Sequence, residues 1–403
     1  MRRWRPGLVL PSVCCLALVL AAGEAIAQAQ PVPGANAQTQ PPPSPEEAMA
    51  DYRRKVKEYT AARADFEAVA APYWARVEEK RKARIAKRRN QQPITLADYV
   101  QEQPPVYTGP ERPRDPSLKP EEQVPELPPL PVVADFLRNA KEHFGFVPEL
   151  PQDEIAFKRA YAAHARAAGI AKDQAVRIYS FESGGNGTYD VQAGLETPRP
   201  NARAISTALG YNQLLTANTV SLLASKGDRF IRTLQARAAA ASGERKAQLE
   251  RKIEILKRMV AFSHSVPKRW ADHAKLGRTP KGLGLHALNL DIDIGPLLQT
   301  QKLLDSIQHA RGRGIERPLS AAELEMMNLT GDGNGLDMIA IPQAMRAQVP
   351  TANFFQRLGY ERNPVAIRNN AVDKLIEATN AVMDRESQRQ GARDMGAAFD
   401  AQR

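Results

Sequence analysis

Ten prolines fall between Gln103 and Pro131. Each one removes a backbone N–H and fixes φ near −65°, so neither a regular helix nor a central strand can form there. Residues 103–131 are therefore predicted to be an extended linker that separates an arm from a body. The arm, 46–102, has no Gly as far as Asn90 and one Pro, Pro72, among strong helix formers. It reads as a mixed-charge helix followed by a basic one. Arg76 to Asn90 carries eight Lys or Arg against Glu78 and Glu79. That run suits contact with an anionic envelope polymer, or it is simply a solvated helix face.

The front of the chain reads as an address. Arg2, Arg3 and Arg5 precede a mostly apolar run, Leu8 to Ala22, and Ala25-Ile-Ala27 is a small-x-small cleavage signal. Residues 1–27 are predicted to be a secretory signal and 28–45 a disordered Pro/Gln spacer. Cys14 and Cys15 are the two cysteines of the chain, so the exported form is expected to carry no thiol, disulfide or cysteine-based metal site. The formal charge is +11; three Arg and one Glu in the signal account for +2 and leave +9. Such a chain favours polyanionic surroundings. Nucleic acid, membrane surface and cell-wall polymer are such surroundings, and export makes nucleic acid the least favoured of the three. No later stretch is apolar enough to span a bilayer, and no cofactor or metal is expected.

The body, 132–390, is predicted to be all-α. Helical periodicity runs through Val132–Phe144, Pro151–Ala168, Lys172–Glu182, Ala204–Ala224 (broken at Gly210), Asp293–Ala310 and Pro364–Gln390. Arg229–Ala241 and Glu244–Val266 read as an αα-hairpin around Ser242-Gly243. Ser320-Ala-Ala-Glu323 is a capping box that opens another helix, after which Thr330–Gly335 reads as loop. Residues 391–403 are expected to be a disordered tail.

Within the body, Ile178 to Gly187 carries the strongest chemical signal. Ala175, Ile178 and Tyr179 precede Glu182 at i−7, i−4 and i−3, so the carboxyl ends an apolar helix face. Burial there should raise its pKa, as a general acid requires. Gly184 and Gly185 then free the backbone to turn away.

Three more segments follow in order. They are Gly210-Tyr-Asn-Gln213, Asp291-Ile-Asp-Ile-Gly295-Pro-Leu-Leu298 and Met327-Asn328-Leu-Thr-Gly331. With Glu182-Ser183-Gly184-Gly185 they make the chain resemble the soluble lytic transglycosylases of the lysozyme-like superfamily, as a divergent member. That family shows Glu-Ser-x-Gly, Gly-Leu-Met-Gln, Asn-Ile-x-x-Gly-x-x-Tyr-Leu and Ala-Tyr-Asn-x-Gly. The resemblance spans about Asp153 to Leu336. It implies a lysozyme-like helical domain with inserted long helices, preceded by the arm and linker. It also implies cleavage of the MurNAc-GlcNAc bond of peptidoglycan, with Glu182 as general acid/base and a 1,6-anhydro product. Ser183, Tyr211, Gln213 and Asn328 become candidate substrate-binding residues. Met327 stands where the family has Tyr and cannot donate its hydrogen bond.

Two alternatives use the same residues. A glycan-binding or scaffolding protein would keep the fold without the chemistry. A lysozyme-type hydrolase would pair Glu182 with a second carboxylate, for which Asp190 is the nearest candidate. Thr330–Gly335 resembles an EF-hand loop, but Thr330 and Ile341 occupy positions where that loop needs carboxylates.

Overall fold

A computed structural model describes residues 44–118, 129–195 and 202–402. The described residues form two compact units, one before and one from Pro129. Both are built from helices, and among the described residues three isolated β-bridges stand in place of any strand. No described helix is long and apolar enough to cross a membrane. The expected signal, 1–27, most of the spacer and residues 119–128 of the linker lie outside the described residues.

The first unit is one helix, Pro45–Arg89, with an extended return segment. Ser44 and Glu47 close its N-terminus reciprocally, at 2.8 Å from Ser44 N to Glu47 Oε2 and 3.3 Å from Glu47 N to Ser44 Oγ. The expected division into two helices is corrected, since Pro72 lies inside a continuous helix. A mid-helix proline costs about 3 kcal/mol. The return segment fastens the turns just after it. Tyr73 donates to Glu102 O at 3.1 Å, Lys80 to Ala97 O at 2.6 Å and Tyr99 O at 2.9 Å, and Arg84 to Asp98 O at 3.0 Å. Lys87 pairs with Asp98 at 2.6 Å, and the Arg84 guanidinium lies 4.4 Å over the Tyr99 ring. An extended chain outside any sheet leaves its carbonyls without donors. Here the basic side chains supply them. Part of the charge expected to face an external polymer is therefore spent inside the unit.

The second unit is centred on the helix Lys172–Ser183. Ala321–Thr330, Val372–Glu386 and Gln390–Asp400 pack around it, and Glu154–Ala167 joins them. The hairpin forms as expected, although its first arm begins earlier, at Thr216–Ala240, and its second is Gly243–Ser263. It packs on Val133–Phe144 and Pro280–His286 in a core containing Phe136, Phe144, Leu223, Phe230 and Leu256. Helix was expected from Ala204, but 204–215 is irregular. Gly210 (φ 77°) and Gln213 (φ 44°) both take left-handed backbone, which a helix cannot absorb.

Two further expectations are corrected. Thr330–Gly335 is not a loop: the helix Ala321–Thr330 stops at Gly331 (φ 84°, ψ 148°) and Asp332–Ile339 starts at once. The tail holds a helix, Gln390–Asp400, because Ala392, Met395, Ala398 and Phe399 share one buried face. Its own Gly391 lets it approach the Tyr179 hydroxyl, 2.6 Å from where a Cβ would stand, while Gly185 makes room for Glu386 O at the end of the preceding helix.

A buried ionic knot ties the hairpin to the turn before Gly295–Arg311. Lys252 Nζ reaches Glu149 Oε2 at 2.8 Å, Asp291 Oδ2 at 3.0 Å and Asp293 Oδ2 at 2.6 Å. Asp291 also accepts from the backbone N–H groups of Glu149, Asp293 and Ile294. The Asp291–Leu298 motif thus serves the fold.

Candidate active site

Glu182 sits on the last turn of Lys172–Ser183. The apolar stripe behind it, Ala175, Ile178 and Tyr179, is buried, and Glu182 is itself only 6 % exposed. Gly184 (φ 63°) and Gly185 (φ 69°) take the left-handed conformation and carry the chain away. Opposite stands Ala321–Thr330, which presents Glu325 and Asn328 three residues apart on one face. Asn328 Nδ2 donates to Glu182 Oε1 at 2.6 Å and lies 3.5 Å from Glu325 Oε1. Glu325 is 3 % exposed.

Two carboxyls therefore meet in a nearly dry place. Burial pushes the Glu182 pKa well up, and the neighbouring Glu325 charge adds to the shift, while the Asn328 donor opposes it. Burial also raises Glu325, to about 7, against the pull of Asn328 and Lys302. Neither Glu182 Oε2 nor Glu325 Oε2 has a hydrogen-bond donor. Lys302 is engaged next door, with Asp332 Oδ1 at 3.2 Å.

Asn328 also lines a groove of about 390 Å³. Leu329, Thr330, Gly331, Asp332 and Asn334 continue its wall from Asn328, and Asn218, Ser221 and Ser225 face in from Thr216–Ala240. Trp270, Phe354 and Phe355 add aromatic surface, and Gln356 another amide. Flat apolar rings set among amides and hydroxyls match a sugar, which presents apolar ring faces and polar edges. The Asn328 amide joins groove and acid pair.

The remaining candidates have other duties. Ser183 donates to Tyr179 O at 2.7 Å within its helix. Gln213 donates to Gly210 O at 2.8 Å and Val191 O at 3.2 Å, which holds its left-handed turn and uses its amide internally. The expectation that Tyr211 stacks on a sugar is corrected. Its ring is fully buried against Phe157, Tyr161 and Tyr179, and its hydroxyl bonds Glu154. Asp190 is exposed and accepts from Thr188 Oγ1 at 2.7 Å, as a turn residue does. Asp332 is the first residue of a helix and bonds Ser306 and Lys302, so no EF-hand loop forms.

Glu325 is the residue that sequence reasoning missed. Its signal was there: it lies three residues before Asn328, and Leu324, Met326 and Met327 around it are apolar. No family model, curated protein or solved structure matches the chain.

Proposed function

We propose that the protein is an exported peptidoglycan lytic transglycosylase of the bacterial periplasm, with Glu182 as its general acid/base. The observation that carries this reading is a buried carboxyl, its pKa raised by burial, bonded to Asn328, which lines a groove with sugar-like surfaces. Protonated Glu182 gives its proton to the glycosidic oxygen as the bond from C1 breaks. The carboxylate then takes the proton of the sugar's own 6-hydroxyl, whose oxygen attacks C1 and closes the 1,6-anhydro ring. Glu182 ends protonated as it began, with no water consumed.

The position of Glu325 favours this reading over hydrolysis. Hydrolysing pairs flank the bond, with carboxyls roughly 5–9.5 Å apart. Two carboxyls within hydrogen-bond reach leave no room for a sugar between them. The resemblance in the first and fourth motifs supports the same conclusion, since Asn328 of the fourth bonds Glu182 of the first.

Purified sacculi test the reading. Wild type is expected to release anhydro-muropeptides, and Glu182→Gln to release none. Reducing-end products from wild type would make it a hydrolase. Retention on sacculi without release by either protein would make it a glycan-binding protein.

A further inference from the structure

The structure assigns a single shared proton to Glu182 and Glu325, with Glu325 as the positioning residue that keeps it on Glu182. The sharing itself is a property of the two helices. Its role in turnover rests on the transglycosylase reading above.

The argument starts from atoms that lack partners. Asn328 Nδ2 fills Glu182 Oε1 at 2.6 Å, which marks Oε1 as the carbonyl-type oxygen. Oε2 is then the atom left to carry a proton. It is buried and has no donor, and Glu325 Oε2 is in the same condition. The two carboxyls flank one amide nitrogen, Asn328 Nδ2, at 2.6 Å from Glu182 Oε1 and 3.5 Å from Glu325 Oε1. Two buried acceptors with no donor between them are repulsive, whereas one proton between them satisfies both. The Glu325 carboxylate raises Glu182, and the Glu182 hydroxyl lowers Glu325, which is the direction expected with the proton on Glu182.

Many charged groups on the surrounding elements have partners of their own. Glu386 is held by Arg385 and Arg389, Asp384 by Arg177, and Asp400 by Lys172. Glu323 is held by Arg317, Glu154 by Lys158, and Asp394 accepts from Gln390. Asp305 pairs with Lys226. Lys302, shared with Asp332, acts on Glu325 from Gly295–Arg311. It offsets the charge of the pair and leaves the proton in place.

The cycle then closes on the pair. The proton leaves Glu182 for the leaving oxygen, and the pair is briefly doubly charged. That state is a strong base, so it takes the 6-hydroxyl proton and recovers its single proton.

Two readouts test this. In full-length protein labelled with ¹³C at glutamate carboxyls, two resonances are expected to keep moving together to neutral pH, and Glu182→Gln and Glu325→Gln each abolish the joint step. Separate titrations in the ordinary carboxyl range overturn the proposal. With sacculi, Glu325→Gln removes the negative neighbour, so Glu182 loses its proton earlier. The falling alkaline limb of kcat is expected to move down by about one pH unit or more, a roughly tenfold loss at a fixed pH on that limb, with KM little changed. Glu325→Asp should recover most of it. An unmoved limb in an active, folded Glu325→Gln protein overturns the role of Glu325 and leaves the transglycosylase reading intact. Joint titration in a protein inert towards murein keeps the shared proton and removes the activity.

Discussion

The side-chain amide of Asn328 reaches the carboxyl of Glu182 at 2.6 Å, across 146 positions of sequence. It joins the acid pair to a residue of the groove wall. Removing it tests whether that junction matters. Asn328→Ala takes away a donor that favours ionised Glu182, so the carboxyl should become a still weaker acid. A hydrogen bond to a charged group is worth about 1.5–3 kcal/mol. The acid step, which leaves Glu182 ionised, should slow roughly tenfold or more, read as kcat for anhydro-muropeptide release, with the melting temperature little changed.

The acid pair should also make the fold sensitive to alkali. Burial raises both carboxyls in the folded protein, Glu182 well up and Glu325 to about 7, so the folded pair holds a proton that the unfolded chain has released. This contribution is complete below pH 4.5 and is lost as pH rises to about 7, on the order of 3 kcal/mol. Urea midpoints across that window should fall for wild type and stay flatter for Glu325→Gln.

His286 should act in the opposite direction. It is fully buried, with Nε2 donating to Thr207 O at 2.9 Å and Nδ1 accepting from Thr219 Oγ1 at 2.8 Å, and burial lowers its pKa to about 4. Its contribution is present above pH 6.5 and is lost as pH falls towards 4. Replacing it in His286→Gln should weaken the fold at neutral pH and remove this part of the acid sensitivity, as seen in parallel urea titrations.

Lys252 holds three carboxylates at once, two of them buried. Lys252→Met leaves Asp291 and Asp293 without their shared cation. Breaking a buried ion pair from one side costs about 3–5 kcal/mol. A thermal melt should shift down by roughly 10 °C, whereas glycan products should be unchanged in kind.

Tyr211 separates a core role from a sugar-binding one. Tyr211→Ala opens a cavity among Phe157, Tyr161 and Tyr179 and should cost about 3–5 kcal/mol of stability. Tyr211→Phe keeps the packing and loses only the bond to Glu154. Affinity for sacculi should be the same for Tyr211→Phe as for wild type.

The helical character of the body was legible because apolar residues recur at helical spacing and prolines mark the gaps. Glu182 was legible for a related reason, since Ala175, Ile178 and Tyr179 point its face inward. The rest was hidden in side-chain destinations. Nothing local distinguishes Gln213, whose amide closes its own turn, from an amide that greets a ligand. Gly331 looked like loop because glycine breaks helices, yet two helices meet there directly. Glu325 escaped notice because a Glu in a capped helix is ordinarily solvated, and its burial depends on a helix nearly 150 positions earlier.

The meeting at Gly331 has a consequence for the groove. Asn328 lies before it and Asn334 after it, and both line the same wall. Gly331 alone stands between the helices, so their relative direction turns on its pair of torsions, in a region (φ 84°, ψ 148°) open essentially to glycine alone. A side chain there would meet nothing within 4 Å, so its penalty is wholly conformational. Gly331 is therefore the joint that sets how Asn328 and Asn334 stand along that wall, and Gly331→Ala would reset it without touching any neighbour.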